Sequence, residues 1–219
     1  MEIRPSDLEL SLRYKLLIGG IVPRPIAWVS TISPEGRTNL APFSFFTGTG
    51  SDPMSLLFCP ANTPDGQEKD SLRNAKPVDE GGQGEFVVNV VSDELAEVMA
   101  ASAEPLPPEE SEFERFGVES DKSQVVRPLR VAGSKIHYEC RTTQVLRLNP
   151  GVAGGGNVVL GEVVHVHVAD SVLGERMRID PQALDAIGRM GGFGYTRTRD
   201  RFELRAGVKA LSAGRRESE

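Results

Sequence analysis

Arg24-Pro25-Ile26-Ala27-Trp28-Val29-Ser30-Thr31, followed by Asn39-Leu40-Ala41-Pro42-Phe43-Ser44, is the stretch on which the fold turns. It reads as two short strands, about Ala27–Ile32 and Thr38–Ala41, joined by the tight turn Ser33-Pro34-Glu35-Gly36. Pro23 and Pro25 hold the chain extended into the first strand. A hairpin built only for packing would keep alternating to its end. This one instead presents Ser30, Thr31, Asn39 and Ser44, with a proline-fixed bend between them. Such a set suits a flat, polar ligand that carries a phosphate.

Outward from the hairpin, strands are predicted over Ser55–Cys59, Gly84–Val91, Lys135–Leu148 and Asn157–Ala169. Ser55–Cys59 is continuously apolar, which predicts cover on both of its faces. A helix is expected from Asp7 to Gly20, with Leu8, Leu12, Leu16 and Leu17 at helical spacing. A second helix should start near Lys69, capped by Asp70 or Ser71, and a third should run from a Ser92 cap to about Ala103. Asp180-Pro181 opens a short fourth helix. Strands dominate and the helices are peripheral, so the fold class is mainly β: an antiparallel barrel with helical additions. One domain is expected over residues 1–211, with a polar, disordered tail over 212–219.

The chain has 219 residues, 39% of them hydrophobic and 26% charged, and a net charge of -6. That composition supports a full core and argues against a nucleic-acid-binding surface. There is no apolar stretch of membrane-spanning length and no secretory leader, so a cytoplasmic location is expected, away from the membrane. Cys59 and Cys140 are read as free thiols. His165 and His167 share one strand face beside His137, which reads as a polar sheet face, and no metal is expected.

Dinucleotide, P-loop and nucleophile-elbow motifs are absent; Gly48-Thr49-Gly50 lacks a third glycine and a following helix. Arg24, Lys69 and Arg73 lie beside the hydroxyls Ser30, Thr31 and Ser71 and beside a helix start, which is what a phosphate requires. The competing reading, that Lys69 and Arg73 decorate a surface helix, is not separated by spacing alone. Among the aromatics, Trp28 and Phe45 are expected in the core; Phe43 and Phe45 should share one face, with Ser44 and Phe46 on the other.

The hairpin motifs, together with Ser51-Asp52-Pro53, Lys69-Asp70-Ser71-Leu72-Arg73-Asn74, Gly84–Asn89, Gly161-Glu162-Val163-Val164 and Arg189–Tyr195, resemble the flavin reductase-like family of FMN-binding split barrels. The chain is more similar to the flavoredoxin-like branch, because its C-terminal region reads Gly192-Phe193-Gly194-Tyr195-Thr196-Arg197 where short flavin reductases carry a histidine-containing strand. The resemblance implies a Greek-key split β-barrel, a homodimer and an FMN cofactor. Ser30 and Thr31 would then lie near the ribityl chain or phosphate, and Asn39 with Ala41, Pro42, Phe43 and Ser44 would hold the ring. Arg24, Lys69 and Ser71 would neutralise the phosphate, and Tyr195 would close over the site. It implies a flavin reductase that passes hydride from NADH or NADPH to FMN and electrons onward to free flavin or a partner protein. The alternatives are an FMN electron carrier without nicotinamide specificity and a non-redox small-ligand module. No acid–base pair or nucleophile is recognisable, as suits an enzyme whose cofactor carries the redox chemistry.

Overall fold

The computed structural model describes residues 1–213 and 216–217. Of the tail expected to be disordered over 212–219, residues 212 and 213 end a helical turn that starts at Lys209 and 216–217 pair with 202–203, while 214, 215, 218 and 219 lie outside the described residues. Seven antiparallel strands form the main sheet. They are β1 (Ala27–Ile32), β2 (Thr38–Phe43), β3 (Phe46–Ser51), β4 (Met54–Phe58), β5 (Glu85–Val90), β6 (Ile136–Arg147) and β7 (Asn157–Val168). Their order is β2-β1-β5-β6-β7-β4-β3. Although β2 and β3 are consecutive in sequence, they form the two edges, and the barrel is split between them.

The β1–β2 hairpin pairs from Ala27↔Phe43 to Ile32↔Thr38. Its turn closes through Ser33 N–H to Arg37 O (2.8 Å), with Gly36 at φ +88°, a conformation that favours glycine. The sequence missed β3, because Thr47-Gly48-Thr49-Gly50 has little strand propensity. Pairing with β4 imposes the extended form there, with a register irregularity between Gly48 and Gly50. β6 and β7 run together for twelve residues each and carry two register shifts. At Gly161 of β7 an added Cβ would stand 2.5 Å from the Phe86 ring, so only glycine lets that ring fill the barrel.

The core follows from alternation. Ala27, Val29, Phe43, Leu56, Phe58, Phe86, Val88, Cys140 and Val159 fill the barrel, with Leu72 and Ala75 of α2 (Asp70–Ala75). Phe58 sits 5.1 Å, centroid to centroid, from both Phe43 and Phe86. On the opposite face of β1 and β2, Trp28 and Leu40 join a second cluster. It includes Met99 of α3 (Ala96–Ala101) and Phe113 of α4 (Glu112–Arg115). Trp28 is fully buried and donates from Nε1 to Ser102 Oγ at 2.8 Å.

Several expectations need correction. β4 is not fully covered on both faces: Leu56 and Phe58 are buried on one, while Leu57 on the other is only half-buried. Phe43 does not pair with Phe45, because the chain bends after Phe43, and Phe43 and Phe46 pack on the same core cluster. Phe45 is only half-buried, beneath the Arg24 guanidinium (5.9 Å). No side chain caps α2, whose N-cap is Lys69, and Ser92 Oγ donates to Glu94 Oε1 (3.1 Å) instead of capping. The first helix, α1 (Leu10–Gly20), buries only Ile18 and leaves its leucines outside. Among the described residues, no helix is long and apolar enough to cross a membrane.

Because Phe58 contacts two other rings at full burial, Phe58→Ala should cost about 3–5 kcal/mol of stability. Urea unfolding would check this; a loss under about 1 kcal/mol would show a core that collapses around the gap.

Candidate functional site

A cavity of about 650 Å³ opens where α1, β2, the start of α2 and two loops meet. Its lining is more apolar than polar, and its volume lies in the range of cofactor sites, about 300–1,000 Å³. Five of the sequence-predicted residues line it: Asn39, Ala41, Lys69, Ser71 and Arg73. Asn39 Nδ2 donates to the buried Ser71 Oγ at 3.1 Å, tying the edge strand to the helix start. The Lys69 ammonium makes no hydrogen bond or ion pair among the described residues and lies 5.9 Å from the Phe43 ring centroid. Desolvation by the surrounding wall lowers its pKa. An unpaired ammonium in a concave wall has the chemistry to receive an anion.

The remaining predicted residues lie elsewhere. Ser30 and Thr31 are fully buried and already engaged: Ser30 Oγ donates to Leu129 O, and Thr31 Oγ1 accepts from Asn74 Nδ2 at 3.1 Å. Arg24 is 3% exposed. Its guanidinium donates to Ile18 O (2.6 Å), Ile21 O (2.8 Å), Met190 O (3.0 Å) and Ser44 Oγ (3.2 Å), which consumes Ser44 as well. It staples the end of α1 to a C-terminal hairpin, formed by β8 (Ile187–Arg189) and β9 (Tyr195–Arg197), and has little capacity left for a phosphate. Pro42 pairs opposite Trp28 on the edge strand, where its missing N–H costs no ladder bond, and Phe43 belongs to the core. Tyr195 stacks under Arg189 (4.4 Å) and lines a separate groove against α3.

Sequence reasoning missed Leu10 and Tyr14 on α1, Asn62 to Pro64, and Ser102 to Leu106, all of which line the cavity. The loop 104–112 supplies part of the wall, and its contribution depends on α4. Glu112 Oε2 accepts the Leu40 N–H at 2.8 Å, and Thr38 and Ser111 share a hydroxyl bond of 2.7 Å, so α4 is fastened to the edge of β2. Burial raises the Glu112 pKa.

The histidines form a polar layer at the far end of the β6–β7 hairpin. His137 Nε2 donates to Val131 O (2.9 Å), which leaves Nδ1 to accept from His167 Nδ1–H (3.0 Å). His165 Nδ1 stands 3.5 Å from the buried Glu139 carboxylate, which accepts the Gln124 and Val125 N–H groups. None of the three lines the cavity. Among the described residues, no group of three metal-binding side chains is assembled.

A family model for the flavin reductase like domain matches residues 19–189. The chain belongs to the flavin reductase-like family. This flavin reductase-like chain is 31% identical to component B of nitrilotriacetate monooxygenase from Bacillus cereus, with a TM-score of 0.86 over 93% of this chain and 98% of that one. It is 29% identical to the 2-nitrobenzoate 2-nitroreductase of Pseudomonas fluorescens, with a TM-score of 0.82 over 98% and 100%. Flavoredoxin of Desulfovibrio vulgaris shares the fold at 16% identity, with a TM-score of 0.67 over 86% and 93%. Membership carries a flavin cofactor and a flavin-related redox role.

Burial, aided by Arg130 and His167, depresses the His137 pKa to about 4. A histidine held neutral in the fold protonates first in the unfolded chain, so stability is full above pH 6.5 and is lost as the pH falls towards 4. The expected loss is about 3 kcal/mol, measured by urea unfolding across that window. A His137→Gln variant should lose distinctly less on acidification, and an equal loss would place the acid sensitivity elsewhere.

Proposed function

We propose that this protein is an FMN-dependent flavin reductase that takes hydride from NADH or NADPH and passes electrons to free flavin or to an electron-accepting partner protein in the cytoplasm. The observation that carries this reading is the unpaired Lys69 ammonium beside Ser71 and Asn39, in the wall of a cavity that is otherwise mostly apolar. A flavin mononucleotide has that polarity: an anionic phosphate at one end and a broad, largely apolar ring at the other.

The chain's residues then divide the work. Lys69 holds the phosphate with a charge-assisted bond, and Ser71, positioned by Asn39, offers its hydroxyl. The first turn of α2, capped by no side chain, leaves amide donors for the same oxygens. Ala41 admits the ring close to the backbone of β2, and Leu10 and Tyr14 cover it from α1. Bound there, the flavin supplies the two-electron chemistry. The protein's contribution is to orient it, neutralise its phosphate and exclude water.

Association as a homodimer fits this arrangement. Leu12 and Leu16 are exposed on one side of α1, and Leu10, Tyr14 and Leu17, 47–56% exposed, form an apolar face on the other. Leu10 and Tyr14 belong both to that face and to the cavity lining, so association there would seal the cofactor site.

Lys69→Ala should weaken FMN binding by about 1.5–3 kcal/mol, roughly ten- to hundredfold in Kd, read by flavin fluorescence. An unchanged Kd would move the phosphate site. Stopped-flow mixing of the FMN-loaded protein with NADH and, separately, NADPH should bleach the flavin faster than free FMN is reduced. If neither donor exceeds that rate, the protein is an electron carrier reduced by another protein.

A further inference from the structure

Among the described residues, two buried side-chain polar atoms lack a hydrogen-bond partner: Arg130 Nε and His165 Nδ1. Both belong to the polar layer at the far end of the β6–β7 hairpin, and neither residue lines the large cavity. Arg130 is 9% exposed, yet its guanidinium makes no hydrogen bond or ion pair among the described residues. Buried donors are matched as a rule, and a buried cation is normally paired. An arginine held in this way requires an acceptor that the chain does not supply.

The neighbours narrow what that acceptor is. Arg130 lies on the short strand Arg130–Val131, and the carbonyl of Val131 takes the His137 Nε2–H. That bond orders the protons. His137 Nδ1 is left to accept, His167 Nδ1 must donate to it, and the neutral His167 ring keeps a bare lone pair at Nε2. Desolvation lowers the His167 pKa, helped by the charges of Arg130 and His165 and opposed by Asp121 and Asp170. The carboxylates do not neutralise Arg130. Both Glu139 oxygens accept backbone N–H groups, from Gln124 and Val125. Asp121 and Asp170 are exposed, and no ion pair joins either to Arg130 among the described residues.

We propose that Arg130 and His167 bind a small oxyanion, of the phosphate or carboxylate class, together with one proton taken up at His167 Nε2. The guanidinium fork offers paired N–H donors that match two oxygens of such a group. The anion cancels the positive charge that opposes protonation of His167, and the imidazolium then adds a further donor. Nδ1 keeps its bond to His137 throughout, so the ring need not turn. The occupant would also fasten the outer layer, because Leu129 O and Val131 N–H, on either side of Arg130, bond to Ser30 and Asn89 beneath. This inference is independent of the flavin site.

Sulfate and acetate, neither of which titrates near neutrality, are the probes. Each is added to the full chain while the imidazole proton signals of His167, assigned by their loss in a His167→Gln variant, are followed by NMR across pH. One probe should raise the proton affinity of His167 about tenfold, saturably. Sulfate as the stronger probe marks a phosphate-like ligand, and acetate a carboxylate. Sodium chloride at matched ionic strength should have little effect. Arg130→Gln should raise the His167 proton affinity with no probe present and abolish the response. Arg130→Lys keeps the charge but loses the fork, so it should retain the low proton affinity and bind the probe at least about tenfold more weakly; it decides the matter if the glutamine variant does not fold. No saturable response to either probe would overturn the proposal. So would an equal response to chloride, which is screening alone, or an undiminished response in either Arg130 variant.

Discussion

Strand β1 has no face left for water, and most of the architecture answers to that constraint. Ala27 and Val29 point into the barrel, Trp28 and Ser30 point the other way, and all four are buried. A strand buried on both sides needs a layer on each. Inside, the layer is the barrel itself, plugged by α2. Outside, it is α3, α4 and the segment around Val131, held by polar side chains that satisfy otherwise stranded groups. Asn89 accepts from Val131 N–H and donates to Trp28 O (both 2.8 Å), Glu112 accepts from Leu40 N–H, and Ser102 accepts from the indole of Trp28. Each bond joins residues at least forty positions apart in sequence, so the outer layer is a product of tertiary closure.

The cavity is a by-product of the same closure. Once α4 is pinned along β2, the loop from Ser102 to Leu106 must cross the end of α2, and the space between them cannot be filled by short side chains such as Ala41 and Ser71. The split between β2 and β3 contributes as well, since it leaves β2 an edge strand. Its polar residues are thereby free to bond with α2 and α4, and Asn39 and Thr38 do so. A fully closed barrel would have committed that edge to another strand.

Arg24 shows how a residue suited to one task can be taken for another. An arginine next to serines in a hairpin resembles a phosphate clamp on paper. Three backbone carbonyls, at Ile18, Ile21 and Met190, take its N–H groups instead, the first of them buried, and a buried acceptor left unmade costs about 1–3 kcal/mol. The hydroxyls of Ser30 and Thr31 are engaged within the chain for a related reason. Hydroxyls inside a doubly buried strand must satisfy themselves within the protein, and only the register of β1 shows that they do.

The fold was legible because it depends on local and periodic signals. The β1–β2 hairpin, its Pro34–Gly36 turn, the long β6 and β7 strands and the mainly β class follow from alternation, turn residues and strand length. That Lys69 and Ser71 sit at a helix start was also readable, since the cap fixes their relation within three residues. The sequence could not disclose which hydroxyls face solvent, that the loop 102–112 forms a wall of the cavity, or that Tyr195 belongs to another groove. Those depend on pairings between segments tens to more than a hundred residues apart. The competition among buried donors and acceptors that decides them is settled only when the chain has closed.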